Sequence, residues 1–423
     1  MPTLTPTQIH LIKATIPILA QHGPTITTDF YTDMLAAHPE LKNIFNTTHQ
    51  ATGHQARALA GALYAYAANI DDLGALSPTL ELICHKHVSL FVRPEHYTIV
   101  GTHLLASMKT VLGDAATPDI MDAWTAAYWQ LANIMISKED GMYSGTKDWA
   151  EWQDFKIARK VRESEDITSF YLEPVDAELR VPMFKAGQYI SVNVFVEELD
   201  GGVWQARQYS LSDAPNKDYL RISVKKESGI RIGDAKDLVR PGYISNLLHD
   251  AKEEGDVLRV SHPFGDFYLE EEEDGKGDED TPVVLVSAGV GLTCLVSILN
   301  ALVEGKKSRR PVSWIHGARD ARTRAFKEHV DHLSEENGNI RTVYFLSDPK
   351  EGETGGRHFD VKGRVDLGKI DREVLFTDHA ETQYFLCGPT QFIMDMEKTL
   401  KGYGVPADRV KMELFGTGGV PRT

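Results

Sequence analysis

Apolar residues in the first 147 positions recur at spacings of three and four, the period of one helical face. Gly23-Pro24, Pro39, Gly53, Pro78, Pro94, Gly113 and Pro118 punctuate them, so the block reads as a series of helices. Thr5-Pro6-Thr7-Gln8 has the form of a capping box with Pro at the first helical position. A helix starting there leaves no room for a presequence. After Tyr143-Ser144-Gly145-Thr146 the pattern changes. "FKIARKV", "QYISVNVFV" and "YLRISVKK" are short, β-rich, partly alternating runs. From Thr281 it changes again, to the buried-type strands "PVVLVSAGVG", "RPVSWIHGA", "IRTVYFLS" and "TQYFLCGP" with helical stretches between them. That rhythm predicts a parallel sheet with crossover helices. Glu270–Asp280 ("EEEEDGKGDED") should be a solvated linker. The predicted order is an all-α domain at 1–147, an antiparallel β-barrel at 150–270 and an α/β domain at 281–423.

Composition changes little in this picture but narrows function. At 423 residues, 42% hydrophobic and 25% charged, the chain is ordinary globular protein. A net charge of −16 opposes binding to nucleic acid or an anionic membrane. No apolar run reaches the length of a membrane span. Three widely spaced cysteines form neither a disulfide framework nor a metal motif, which suits a reducing, cytoplasmic setting.

The stretch "ICHKHVSLFVRPEHY" (83–97) holds three histidines. Residues two apart on a helix point about 200° apart, so His85 and His87 cannot share a pocket. His87 lies on the apolar stripe of Leu80, Ile83, Cys84 and Val88, and His85 on a polar stripe with Glu81 and Ser89. If either is a ligand it is His87; the competing reading is a core histidine bonded to a backbone carbonyl.

The C-terminal block carries stronger signals. A strand runs into Gly289-Val290-Gly291 and then into a helix beginning Leu292-Thr293-Cys294. Such a turn lets backbone approach a pyrophosphate at a helix N-terminus, although it lacks the GxGxxG spacing. Upstream lie Gly187-Gln188-Tyr189, Arg207-Gln208-Tyr209-Ser210 and Pro241-Gly242-Tyr243-Ile244-Ser245; downstream lie Cys387-Gly388-Pro389 and Glu413-Leu414-Phe415-Gly416. Motifs in this order resemble the ferredoxin-reductase-type flavin reductases. The resemblance implies that Arg207 pairs with the FAD pyrophosphate, Tyr209 packs on the isoalloxazine and Ser210 bonds near its reactive edge. Tyr189, Gln208, Ser245 and the residues of the remaining motifs complete the expected FAD and nicotinamide sites. Two departures stand out: Cys294 replaces the family's usual proline, and 227–245 is longer than usual, with an insertion around 228–243.

With a helical domain in front, the whole chain resembles the flavohaemoglobins. The resemblance makes the first domain a globin. His87 matches the proximal haem ligand, Phe45 the aromatic packed on the haem, and Tyr31 and Gln55 the distal polar residues. Leu59 lies one turn beyond Gln55 over the same face. His54 is the runner-up for the distal position, but its stripe of Ala58, Gly61 and Ala65 reads as close helix packing. Tyr97 and Glu139 match a relay behind the proximal imidazole, and Lys86 is expected to be exposed on the reductase side. The implied activity is nitric oxide dioxygenation: NADH or NADPH reduces FAD, single electrons pass to haem b, and nitric oxide plus O2 become nitrate. A flavin-dependent ferric, quinone or peroxide reductase, or an oxygen- or NO-sensing globin, are the alternatives. A monomer with small-molecule partners is expected. Arg319, Arg322 and Arg324, after the strand that follows the glycine turn, predict that NADPH is accepted beside NADH.

Overall fold

The computed structural model describes residues 4–46, 50, 52–146, 149–199, 201–231, 239–240, 242–270, 281–304 and 309–415. Its first part is helical: α1 (Pro6–Ala14), α2 (Ile16–Ala37), α3 (His54–Ala68), α4 (Ser77–Ser89), α5 (Pro94–Leu112) and α6 (Pro118–Ser144). The capping box forms as expected. Thr5 Oγ1 accepts from the Gln8 backbone N–H at 3.2 Å, and Gln8 Oε1 accepts from the Thr5 N–H at 2.9 Å. Pro78, Pro94 and Pro118 each sit in the first turn of a helix, where a missing N–H costs nothing. Gly23-Pro24 does not break the chain; α2 runs through it. The reason is tertiary. A Cβ on Gly23 would lie 3.3 Å from that of Ala60, so α3 packs directly on the glycine, and Thr27 Oγ1 donates to Ala56 O at 2.7 Å across the same contact. Buried packing outweighs one lost backbone hydrogen bond.

The second part is a six-stranded antiparallel sheet in the order β4-β3-β8-β1-β2-β5. Its strands are β1 (Gln153–Arg162), β2 (Ile167–Pro174), β3 (Tyr189–Val196), β4 (Val203–Ser210), β5 (Leu220–Lys225) and β8 (Val257–Val260). A bridge between Leu211 and Ile222 joins the two ends into a barrel. A small antiparallel pair, β6 (Ile230–Arg231) with β7 (Val239–Arg240), and helix α7 (Tyr243–Asp250) follow β5. Half of the long insertion, residues 232–238 and 241, lies outside the described residues.

The third part is a parallel sheet in the order β12-β11-β10-β9-β13-β14. It comprises β9 (Val283–Ala288), β10 (Val312–Ala318), β11 (Ile340–Leu346), β12 (Val361–Lys362), β13 (Gln383–Cys387) and β14 (Val410–Glu413). Helices α8 (Leu292–Glu304), α9 (Lys327–Glu336), α10 (Arg372–Leu375) and α11 (Thr390–Gly402) are the other elements. Core residues fall into one cluster around α8 and another on the opposite face of the sheet, so both faces are covered. Asp213, held within the barrel by a buried ion pair with Arg221 at 3.1 Å, joins the barrel to this domain, because Asn300 and Ser297 of α8 donate to it at 2.8 and 2.7 Å. Among the described residues no helix is long and apolar enough to cross a membrane.

Candidate functional site

The site on the helical side is built on α4, whose residues Leu80, Cys84 and Val88 are buried. His87 follows this stripe, as its spacing predicts. Its Nδ1 lies 2.8 Å from Glu139 Oε1 and 3.0 Å from the Tyr97 hydroxyl, and that hydroxyl donates to the same Oε1 at 2.6 Å. Glu139 is only 3% exposed, a carboxylate whose burial requires these donors. With Nδ1–H directed at the carboxylate, the lone pair of His87 is on Nε2, the tautomer a metal needs. Burial, reinforced by Glu139, raises Tyr97 far above the ordinary phenol value, so it remains a donor.

Tyr31 lies on α2, buried, with its ring 5.5 Å from that of Phe45 in an edge-on contact. Burial raises its phenol well above the ordinary value, against the opposing effect of a hydrogen bond with Gln55. Gln55 Oε1 in turn accepts from Gln50 Nε2 at 2.8 Å. Phe45, Gln55 and Leu59 are half-buried, whereas His54 is exposed. Gly61, on the His54 stripe, would meet nothing with an added Cβ, so that face is not the close-packed one; Ala56 and Ala60 are. An imidazole backed by a carboxylate, in the same domain as an apolar wall with a phenol donor and an amide, is the donor set a haem needs.

On the barrel, β4 carries Arg207-Gln208-Tyr209-Ser210. Arg207 is half-buried, and its described hydrogen bond is one from Nη1 to Ala206 O at 2.7 Å. Burial pushes its guanidinium down to about 10, opposed only by Tyr209. A cation held without a carboxylate partner among the described residues fits an anionic group such as a flavin pyrophosphate. Tyr209 packs on the barrel core, and Ser210 is buried opposite Tyr189 in the β3–β4 ladder. Ser245 opens α7, its hydroxyl taking the Glu227 N–H at 3.2 Å and donating to Gly242 O.

The glycine turn of the third domain follows β9. Strand order reverses there, with β10 on one side of β9 and β13 on the other. Dinucleotides bind in the crevice such a reversal opens. A Cβ on Gly291 would sit 2.3 Å from Cys387 O, so only glycine lets the turn meet the end of β13. Leu292, Thr293 and Cys294 are buried, with Thr293 Oγ1 bonded to Val290 O and Cys294 Sγ to Gly291 O. These side chains turn inward; what α8 offers a phosphate is backbone N–H. Gly289 and Val290 complete the turn with Gly291. Gly388 follows Cys387, and Glu413 pairs with Cys387 in register. Leu414 is half-buried and Phe415 is 45% exposed; Gly416 lies outside the described residues.

Lys86 also departs from its expected place. Lys86 is not exposed but half-buried, and burial lowers its ammonium while Glu413 and Asp266 oppose the shift. It therefore points into the junction of all three domains. Asp266, His85 and Ser89, which border this junction, were not singled out by sequence as functional. Only the polar stripe of α4 hinted at the last two.

A family model for globins matches residues 28–135, and one for oxidoreductase NAD-binding domains matches 285–398. The chain is 46% identical to the flavohemoprotein of Bordetella parapertussis over 99% of its own length and 100% of that protein. It is 42% identical to that of Bacillus subtilis over 96% of each. The crystal structure of a Malassezia yamatoensis flavohemoglobin with bound FAD and heme superposes with a TM-score of 0.82 at 30% identity, covering 98% of this chain and all of that one. The FAD/NAD-binding domain of a nitric oxide dioxygenase from Vibrio cholerae matches 62% of this chain and 98% of its own, with a TM-score of 0.52 and 30% identity. A three-domain chain with a haem-type pocket at one end and a flavin reductase at the other is a two-cofactor electron-transfer protein. It belongs to the flavohemoprotein family.

Proposed function

We propose that the protein is a nitric oxide dioxygenase that uses NAD(P)H, FAD and haem b to convert nitric oxide and O2 to nitrate, acting as a cytoplasmic monomer with domains at 1–147, 150–270 and 281–423. The carrying observation is buried Glu139 behind the His87 imidazole. A carboxylate accepting from Nδ1–H makes Nε2 a stronger donor to iron, a push that suits activation of oxygen rather than its storage. When bound, the flavin turns a hydride into single electrons and the haem binds oxygen. Tyr31, held as a neutral phenol by burial, keeps a proton at Oη for a polar ligand in the pocket, and Gln55 orients it. Arg207 anchors the flavin, and the Gly289–Gly291 turn receives the nicotinamide dinucleotide. The test mixes aerobic, NADH-reduced protein with nitric oxide. Nitrate stoichiometric with nitric oxide supports the reading; slow oxygen consumption without nitrate supports a reductase instead.

Two predictions follow from placement. Tyr31→Phe removes the donor and should speed O2 dissociation from the ferrous protein, because one such bond contributes about 1–3 kcal/mol, roughly five- to 150-fold in rate. Stopped-flow dissociation unchanged from wild type would place Tyr31 outside the distal pocket. The second concerns Arg319 and Arg322, which share Asp320 at 3.3 and 3.8 Å and are each about 60% exposed, whereas Arg324 is buried over the Tyr344 ring. Burial alone would raise the Asp320 carboxyl, but hydrogen bonds from Arg319 and the Thr323 N–H hold it below the usual range. Arg322 also reaches Glu165 at 3.9 Å, so what the turn offers a 2′-phosphate is two exposed guanidiniums rather than a net positive charge, and NADPH should be accepted beside NADH. Arg319→Ala with Arg322→Ala should lower the NADPH/NADH ratio of kcat/KM at fixed ionic strength; an unchanged ratio makes them plain surface charge.

A further inference from the structure

Helix α4 has two working faces. One carries His87. The other, with His85 and Ser89 one turn apart, is pressed on the barrel. Ser89 is fully buried, and its hydroxyl is saturated: it accepts from Ser191 Oγ of β3 at 3.0 Å and from Gln208 Nε2 of β4 at 3.0 Å, and donates to Lys86 O at 2.9 Å. A serine hydroxyl has one donor and two acceptor sites, so all are used and its rotamer is fixed. His85 Nδ1 accepts the Gly265 backbone N–H at 3.2 Å, which puts its proton on Nε2, toward Glu81 at 3.8 Å. Gly265 has φ +123, a conformation that favours glycine and that aims this N–H at the helix. Between the two polar contacts, Val88 packs on Tyr189 and Phe264 of the barrel.

We propose that His85 and Ser89 are positioning residues that couple the flavin domain to the haem domain, by locking the helix that carries His87 to the strand that carries Arg207 and Tyr209. Gln208 lies between those two residues, and Ser89 lies two residues from His87. A single hydrogen bond therefore joins the strand that holds one cofactor to the helix that holds the other. Electron transfer falls steeply with separation, so a helix free to slide on the barrel slows it without altering either cofactor site. The inference rests on the reading that electrons pass from flavin to haem. It is tested without nitric oxide, so a failure of nitrate production would not touch it.

The experiment uses full-length holoprotein carrying Ser89→Ala, His85→Leu or His85→Gln, the last keeping an acceptor for the Gly265 N–H. Anaerobic mixing with NADH follows flavin bleaching and haem reduction as separate signals, and hydrogen exchange reports on residues 262–266 and α4. The expected result is unchanged haem content, FAD content and flavin reduction. Haem reduction should slow by about tenfold in Ser89→Ala and His85→Leu. Exchange at 262–266 should rise in the same two variants, and His85→Gln should restore both readouts. If exchange rises while haem reduction stays at the wild-type rate, the contacts only hold the domains together and the proposal is overturned. It is equally overturned if flavin and haem reduction slow in parallel, or if His85→Gln behaves like His85→Leu.

Discussion

The His87→Ala protein is expected to lose its haem, whereas the His85→Ala protein keeps it with an unchanged ferrous spectrum. The two side chains are two residues apart yet serve opposite faces of α4. His87 Nδ1 is committed to Glu139, and Nε2 is the atom left to bind iron. His85 Nδ1 is committed to the Gly265 N–H of the barrel, away from the pocket. Removing the His87 ring also takes one donor from buried Glu139, although Tyr97 still donates to it. Removing one donor from a buried carboxylate costs more than the ~1–3 kcal/mol of a neutral group, on the order of 3–5 kcal/mol, against a typical stability of about 5–15 kcal/mol, so the domain should stay folded but weakened. Loss of haem can then be separated from loss of fold: helical circular dichroism should persist, and added free imidazole should restore haem binding by filling the vacated space. Haem per chain after gel filtration is the measurement. If His85→Ala empties the pocket and His87→Ala does not, the helical register argued for α4 is wrong.

The contrast between these histidines also marks what was legible in the sequence. Periodicity separated the faces of α4, because an apolar stripe records burial against other apolar groups. It could not say what a polar stripe faces. Glu81, His85 and Ser89 would look the same beside water as beside another domain, and Ser89 proves fully buried against Ser191 and Gln208, more than a hundred residues away. Lys86 departs from expectation for the same reason: charge implies exposure, while the carboxylates facing it lie on β14 and after β8. Glu139 shows a further limit. On residue type and position alone it reads as a solvated charge near a helix end, and only contacts with His87 and Tyr97, 52 and 42 residues distant, keep it inside. The family resemblance, not the pattern, pointed to it. In the third domain the parallel sheet was readable from its apolar runs, and the glycine turn from its position after β9. The reversal of strand order that opens a crevice there is a property of pairing, which no local pattern encodes. At Gly23-Pro24 a strong local breaker lost to packing, since α3 needs the absent side chain of Gly23 to approach α2.

Arg207→Ala is expected to weaken FAD binding by about 2–4 kcal/mol, roughly a hundredfold in Kd, with the haem spectrum intact. The argument turns on charge balance. Arg207 makes its described hydrogen bond to the neighbouring Ala206 carbonyl, and no carboxylate pairs with it among the described residues. Burial lowers its guanidinium to about 10, still charged at neutral pH, so the chain holds a partly desolvated cation at a cost. A pyrophosphate offsets that cost and gains two-pronged hydrogen bonds as well. The sign of a second effect follows. In FAD-free protein, Arg207→Ala removes an uncompensated cation, so the empty barrel should be at least as stable to urea as empty wild type, while FAD should stabilise the variant less. Arg207→Lys keeps the charge but loses the planar fork, so it should recover only part of the affinity. Titration of FAD into stripped protein and urea midpoints with and without FAD check both signs. Affinity within twofold of wild type would remove Arg207 from the flavin site. A variant that sheds haem together with FAD would instead show that the helical domain and the barrel fold as one unit, against a boundary near residue 150.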